Sequence, residues 1–93
     1  MIIGSCVVEL FLYEPSSLKE KRQIIKSLIG RIQSRFNVSI AEVGMQDKWR
    51  SAEIGFACVS TTKKHANQML DAVIRFMNHD SRVEMIRWDV EIL

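Results

Sequence analysis

The chain has 93 residues, of which 47% are hydrophobic and 26% charged, with one Pro and four Gly. That length allows one domain and no second, and the composition excludes disordered, linker-like and low-complexity classes. Thirteen basic and eleven acidic residues leave a formal net charge of +2, so a nucleic-acid footprint can come only from how the charges are distributed.

The first element runs from about Ile2 to Tyr13. Its even positions (Ile2, Gly4, Cys6, Val8, Leu10, Leu12) are all apolar or small, while Ser5, Glu9 and Tyr13 fall on the odd ones. A period of two with one richer face predicts a strand whose even face meets the core. Ile3-Gly4-Ser5-Cys6 has the outline of a lipoprotein cleavage site. It lacks the basic leader and the apolar stretch of about 7–15 residues that should precede the cysteine. No segment reaches the roughly 18 apolar residues of a membrane helix. The expectation is a cytoplasmic protein with no membrane partner.

Glu14-Pro15-Ser16-Ser17 breaks the strand pattern. Ser16 or Ser17 can cap a following helix, and Glu20, three residues after Ser17, fits a capping box. The helix spans about Leu18 to Arg35. Leu18, Ile25, Leu28, Ile29, Ile32 and Phe36 form its core stripe, with Lys19, Arg22, Lys26 and Gln33 on the opposite side. Lys21 falls within the apolar arc, in the first turn, where its head can reach past a sheet edge. Asn37 is read as the left-handed residue that ends the helix.

A second strand, about Val38 to Met45, is ambiguous in facing, because Val38 and Ile40 suit one side and Ala41, Val43 and Met45 the other. A bulge or burial on both sides reconciles them. Gln46 to Arg50 is a polar turn holding Trp49. A third strand runs from about Ser51 to Ser60, with Ala52, Ile54, Phe56 and Cys58 on one face. Thr61 or Thr62 caps a second helix, about Lys63 to Asn78, whose stripe is Ala66, Met69, Leu70, Val73 and Met77. The last strand, about Val83 to Leu93, alternates Ile86, Trp88, Val90 and Ile92 against Arg87, Asp89 and Glu91.

The order β-α-β-β-α-β, with right-handed crossovers, predicts an α+β domain of the split βαβ, ferredoxin-like type. It has a four-stranded antiparallel sheet in spatial order 4-1-3-2, two helices on one face and the other face open.

The residues offer little catalytic chemistry. Cys6 and Cys58 lie inside apolar strands and read as buried free thiols, with a disulfide or a metal pair as the alternative. No His or Cys stands at a metal-ligand spacing, and no Gly-rich phosphate loop precedes either helix. His65 and His79 have no nucleophile and orienting carboxylate in evident relation. The expectation is a protein that is not an enzyme, with no cofactor, no metal and no small-molecule substrate.

Two surfaces remain. The open sheet face combines Val7, Phe11, Ala57 and Val59 with Glu9 and Glu53. It suits a protein partner or a homodimer, since its carboxylates repel phosphate. The basic residues lie elsewhere. Lys19, Arg22 and Lys26 line one stripe of the first helix and Lys21 starts that helix, while Lys48 and Arg50 flank Trp49 in the turn. Together these seven residues suit structured RNA read by shape and phosphate. The plainer alternative is a set of solubilising charges and a Trp folded back on the strand ends.

The segments SLKEKR (Ser17 to Arg22) and FNVSIAEV (Phe36 to Val43), followed by Asp47 and Trp49, resemble the YlxP-like family of small bacterial proteins over the whole chain. Its motif positions here are Ser17, Leu18, Lys19, Lys21, Arg22, Asn37, Ser39, Ala41 and Glu42. The resemblance implies a ferredoxin-like fold and a domain of unknown function. Genes of the family often lie near those for a bacterial translation initiation factor and ribosome-binding factor A, hence a provisional label of ribosome-binding factor. It carries over no catalytic or binding residue. Glu42 can pair with Lys21 or Arg22 if the second strand passes close to the helix.

Overall fold

Alternation writes the sheet. Strand β1 (Ile2–Leu12) places Gly4, Cys6, Val8, Leu10 and Leu12 in the interior. Strand β3 (Ser51–Ser60) does the same with Ala52, Ile54, Phe56 and Cys58. The two pair antiparallel with Cys6 opposite Phe56 and Val8 opposite Ile54, so their apolar faces coincide. The computed structural model describes residues 1–93.

Two amphipathic helices cover that face. Ser17 caps helix α1 (Leu18–Arg35) by accepting the Glu20 N–H at 3.2 Å. The predicted capping box closes only halfway, because the Glu20 carboxylate takes the Ser16 hydroxyl at 2.7 Å instead of turning back to the backbone. Ile25, Leu28 and Ile32 are buried beneath the helix. Its end differs from expectation. Phe36 closes it in an extended conformation, and Met45 is the chain's one non-Gly residue at positive φ, so Asn37 is not left-handed. The Phe36 ring packs edge-on against Phe76, with centroids 5.7 Å apart, which accounts for the turn made there.

Strand β2 (Ser39–Gly44) is the edge strand beside β3 and is shorter than the sequence pattern suggested. Its register slips between Glu42 and Gly44, so the bulge that the mixed facing called for is present. Ile40 and Glu42 lie opposite Phe56 and Ile54 and therefore point to the helix side.

Thr62 caps helix α2 (Lys63–Asn78) by accepting the His65 N–H. Ala66, Leu70, Val73 and Met77 are buried on the sheet. Strand β4 (Val83–Ile92) pairs antiparallel with β1, giving the order β2-β3-β1-β4. Seventeen buried residues, drawn from all six elements, form one hydrophobic cluster. Each fully buried Leu or Ile in it contributes about 2–3 kcal/mol to folding. Cys6 and Cys58 are free thiols within that core. No helix is long and apolar enough to cross a membrane.

Candidate functional site

Lys21 organises one end of the molecule. Its place in the apolar stripe of α1 carries its stem toward the sheet, and the whole side chain is buried. The ammonium donates to the Met45 carbonyl at 2.6 Å. It also lies 3.0 Å from Glu42 Oε2, which has no other partner and is not in line for a hydrogen bond. A buried charge persists only when it is paired and hydrogen-bonded, and the β2 bulge delivers both groups. Met45 sits at φ 60°, a conformation a non-Gly residue rarely adopts. Its carbonyl also accepts the Lys48 N–H at 3.1 Å, so both its lone pairs are engaged and the left-handed turn is held from two sides.

The first turn of α1 is therefore fastened to the hairpin between β2 and β3. From the other side, the Leu12 N–H donates to the Arg50 carbonyl at 2.8 Å and ties the hairpin to the end of β1. Residues distant in sequence meet at this end. Lys19 and Arg22 share the first turns of the helix with Lys21 but lie on its solvent side, and Lys48, Trp49 and Arg50 follow Met45 in the turn.

The two groups were expected to serve one surface; Lys21 ties the elements that carry them, and it is itself the residue to correct. Lys21 is sealed from solvent and cannot touch a partner; it is the rivet between α1 and the hairpin. Lys19, Arg22, Lys26, Lys48 and Arg50 are exposed, and none takes part in any of the ion pairs of the chain. Lys19, Arg22 and Lys26 recur at helical spacing along one face. Trp49 is 53% exposed rather than folded back on the strand ends. Glu20 lies in the same first turn of α1 and Asp47 in the same hairpin, so the local positive excess is modest.

The open sheet face is where alternation placed it. Val7, Glu9 and Phe11 oppose Gly55, Glu53 and Ser51 on β3, while Ala57 and Val59 lie opposite Ser5 and Ile3. Glu9 and Glu53 face each other directly, an unfavourable like-charge pair. Arg87 of β4 relieves it by donating to Glu9 at 3.0 Å. Asp89 and Glu91, opposite Val7 and Ser5, add further acid to the same face.

Sequence reasoning missed two features. Asp80, in the turn before β4, takes both Nε and Nη2 of Arg82, at 3.0 and 2.7 Å. Arg82 reaches on to the Ser27 hydroxyl of α1 at 3.3 Å. These hydrogen bonds hold the Asp80 carboxyl below the usual carboxylate range and raise the guanidinium. The spacing D-x-R was the available signal. The second feature is Trp88, which shares a face with the core residues yet is 47% exposed at the sheet edge.

The histidines form no recognisable active centre. His65 Nδ1 lies 2.8 Å from the Ser60 hydroxyl, which also accepts the Thr62 N–H. His79 Nδ1 binds the Arg75 carbonyl at the end of α2. Both contacts finish helix ends. The structure holds no group of three His, Cys, Asp or Glu side chains arranged to bind a metal.

The topology, with two helices on one face of a 4-1-3-2 sheet, defines the ferredoxin-like class of α+β proteins. A solved structure agrees. The de novo designed protein LFR1, made with a ferredoxin fold, matches at a TM-score of 0.51 over 98% of this chain and 86% of its own, at 13% identity, which speaks for the fold alone. The family is more specific. The model for a protein of unknown function, DUF503, matches residues 3–90. The uncharacterized protein YlxP of Bacillus subtilis (strain 168) is 37% identical over 83 residues, covering 89% of this chain and 90% of that protein. The chain belongs to the DUF503 family, as the YlxP-like motifs implied.

Proposed function

We propose that this protein is a non-enzymatic factor that binds structured RNA, with ribosomal particles as the natural source of that RNA. The contact is the end built by α1 and the β2–β3 hairpin. One observation supports the reading. Buried Lys21 holds the Met45 carbonyl and faces Glu42, so the helix that carries Lys19, Arg22 and Lys26 is fastened to the hairpin that carries Lys48, Trp49 and Arg50, all of them exposed.

The chemistry suits RNA better than a protein partner. Lys and Arg heads on a helix face neutralise phosphates without reading sequence. An exposed indole is a platform for a base splayed from a loop or bulge. The open sheet does not compete, since Glu9, Glu53, Asp89 and Glu91 there repel phosphate.

Titration of a fluorescently labelled RNA hairpin, repeated over a range of salt, tests the reading. Trp49→Ala should weaken binding by a factor of about 10 with the salt slope unchanged, the signature of a lost base stack. Arg50→Ala should lower the slope by about one. Binding that is insensitive to both changes would rule this end out.

A further inference from the structure

We propose that β4 is a self-pairing edge, so that two copies of this chain join into a continuous eight-stranded sheet about a two-fold axis at Trp88. The inference is independent of the RNA reading and uses a different side of the molecule.

β4 is the outer strand beside β1 and is solvated on its far side. An edge of this kind presents free N–H and C=O groups and invites another strand. The direction of those groups follows from the ladder. Ile3 and Leu93 exchange both hydrogen bonds, at 3.1 and 2.7 Å. Antiparallel pairs alternate between bonded and unbonded partners. In the register of β1 with β4, Glu91, Asp89 and Arg87 therefore bond inward to Ser5, Val7 and Glu9. Trp88, Val90 and Ile92 send their N–H and C=O groups outward. Around these groups stands the apolar surface that α2 leaves uncovered. Ile86 is 49% exposed, Trp88 47% and Val90 43%.

Charge selects the occupant and the register. A two-fold axis normal to the sheet keeps each side chain on its own face, so only steps of two residues are allowed. With Trp88 opposite the partner's Trp88, Arg87 faces the partner's Asp89 and Asp89 faces the partner's Arg87. Ile86 then faces the partner's Val90. Every facing pair in this central segment is complementary. A step of two in one direction sets Arg87 against the partner's Arg87, and in the other Asp89 against the partner's Asp89, both repulsive. The register slip between Glu9 and Leu10 leaves Ile86 as the extra residue of β4. Its bend confines the pairing to the segment from Ile86 to Val90, because Glu91 and Ile92 would face Met85 and Glu84 beyond it. Both helical layers then lie on one side of the joint sheet, and the two hairpin ends point in opposite directions.

Sedimentation equilibrium over a wide concentration range tests this against the monomer mass of 10.7 kDa. The wild-type chain should reach twice that mass. Val90→Pro should remain monomeric with an unchanged circular dichroism spectrum, because the N–H it removes serves no bond inside the monomer and edge strands tolerate such a Pro. Asp89→Arg should also be monomeric, since Arg87 then faces an arginine. Arg87→Asp with Asp89→Arg should restore the dimer. A wild-type chain that stays at the monomer mass throughout would overturn the proposal. So would a dimer that survives Val90→Pro or Asp89→Arg, or a double exchange that folds but stays monomeric.

Discussion

The Lys21 ammonium and the Glu42 carboxylate meet at 3.0 Å beneath the first turn of α1, with the lysine fully buried. Neither residue can contact a partner as freely as its charge suggests, yet together they decide where their exposed neighbours stand. Removing one member of a buried pair strands the other. Lys21→Met should therefore lower stability by about 2–4 kcal/mol, with Glu42's partial exposure keeping the loss below that of a deeply buried pair. Glu42→Gln should cost less, about 1 kcal/mol, because the Met45 carbonyl still holds the ammonium. Urea unfolding of the two single variants and the double variant measures the coupling. The double loss should fall short of the sum by about 1 kcal/mol, and strictly additive losses would show that the pair does not act as a unit.

Gly30 offers a gain. It lies on the exposed side of α1, and a Cβ there would meet nothing within 4 Å. Gly30→Ala should raise stability by about 0.5–1 kcal/mol through helix propensity and reduced freedom of the unfolded chain. Thermal unfolding reads this directly, and a lowered midpoint would contradict the exposed placement.

The Asp80–Arg82 clamp should appear in acid. Its arginine hydrogen bonds hold the folded pKa of Asp80 below its ordinary value of 3.8. The contribution is therefore complete above that value and is lost as pH falls through the lower, folded one. Asp80→Asn should cost about 1–2 kcal/mol at neutral pH. Its stability should also decline less steeply than wild type below about pH 4. Parallel acid limbs for the two proteins would refute the assignment.

Cys6 should act at the other extreme. Burial, aided by the Asp89 carboxylate, pushes its thiol from 9.0 up to about 11. A folded pKa raised above the unfolded one means stability is complete below pH 9 and drains away as pH rises toward 11. The loss by pH 11 is about 2 kcal/mol from this group. Cys6→Ala, less stable at neutral pH through its cavity, should show a flatter alkaline limb in urea titrations from pH 8 to about pH 11. An equally steep limb would remove the thiol from the account.

Much of the fold was legible because alternation and helical periodicity are strong in this chain. Both helices carry the bounds read from sequence, and Cys6, Val8, Leu28 and Ile54 went inward as their positions demanded. What failed depended on neighbours distant in sequence. Asn37 was given the helix-ending role on residue type, but the Phe36–Phe76 contact fixes that turn in an extended form. Glu20 was assigned to the backbone and chose the Ser16 hydroxyl, one residue outside the pattern. Trp88 alternates in phase with the core, and only the lateral placement of α2 leaves it at the rim.

The candidate site was legible as residues but not as a place. Lys19, Arg22, Lys48, Trp49 and Arg50 stand out by charge and by an aromatic in a polar turn. The tie between the two segments is the buried Lys21, whose angle in the apolar stripe was visible. Glu42 was offered as a partner for it or for Arg22, and the pair forms with Lys21, but the Met45 carbonyl was not foreseen. Those acceptors exist because β2 bulges after Glu42 and Met45 turns left-handed. The bulge was expected from the mixed facing of β2 and has Gly44 at it, whereas the left-handed turn falls on Met45, a residue type that does not announce it.

Co-sedimentation with ribosomal particles on density gradients, at low and high salt, tests whether this protein binds structured RNA. The wild-type chain should migrate with the particles at low salt and be released steeply as salt rises, as phosphate contacts require. Lys19→Glu, Arg22→Glu and Lys26→Glu together should abolish co-migration while the fold is kept. A chain that stays at the top of the gradient even at low salt, or a triple variant that migrates like wild type, would contradict the proposed RNA contact.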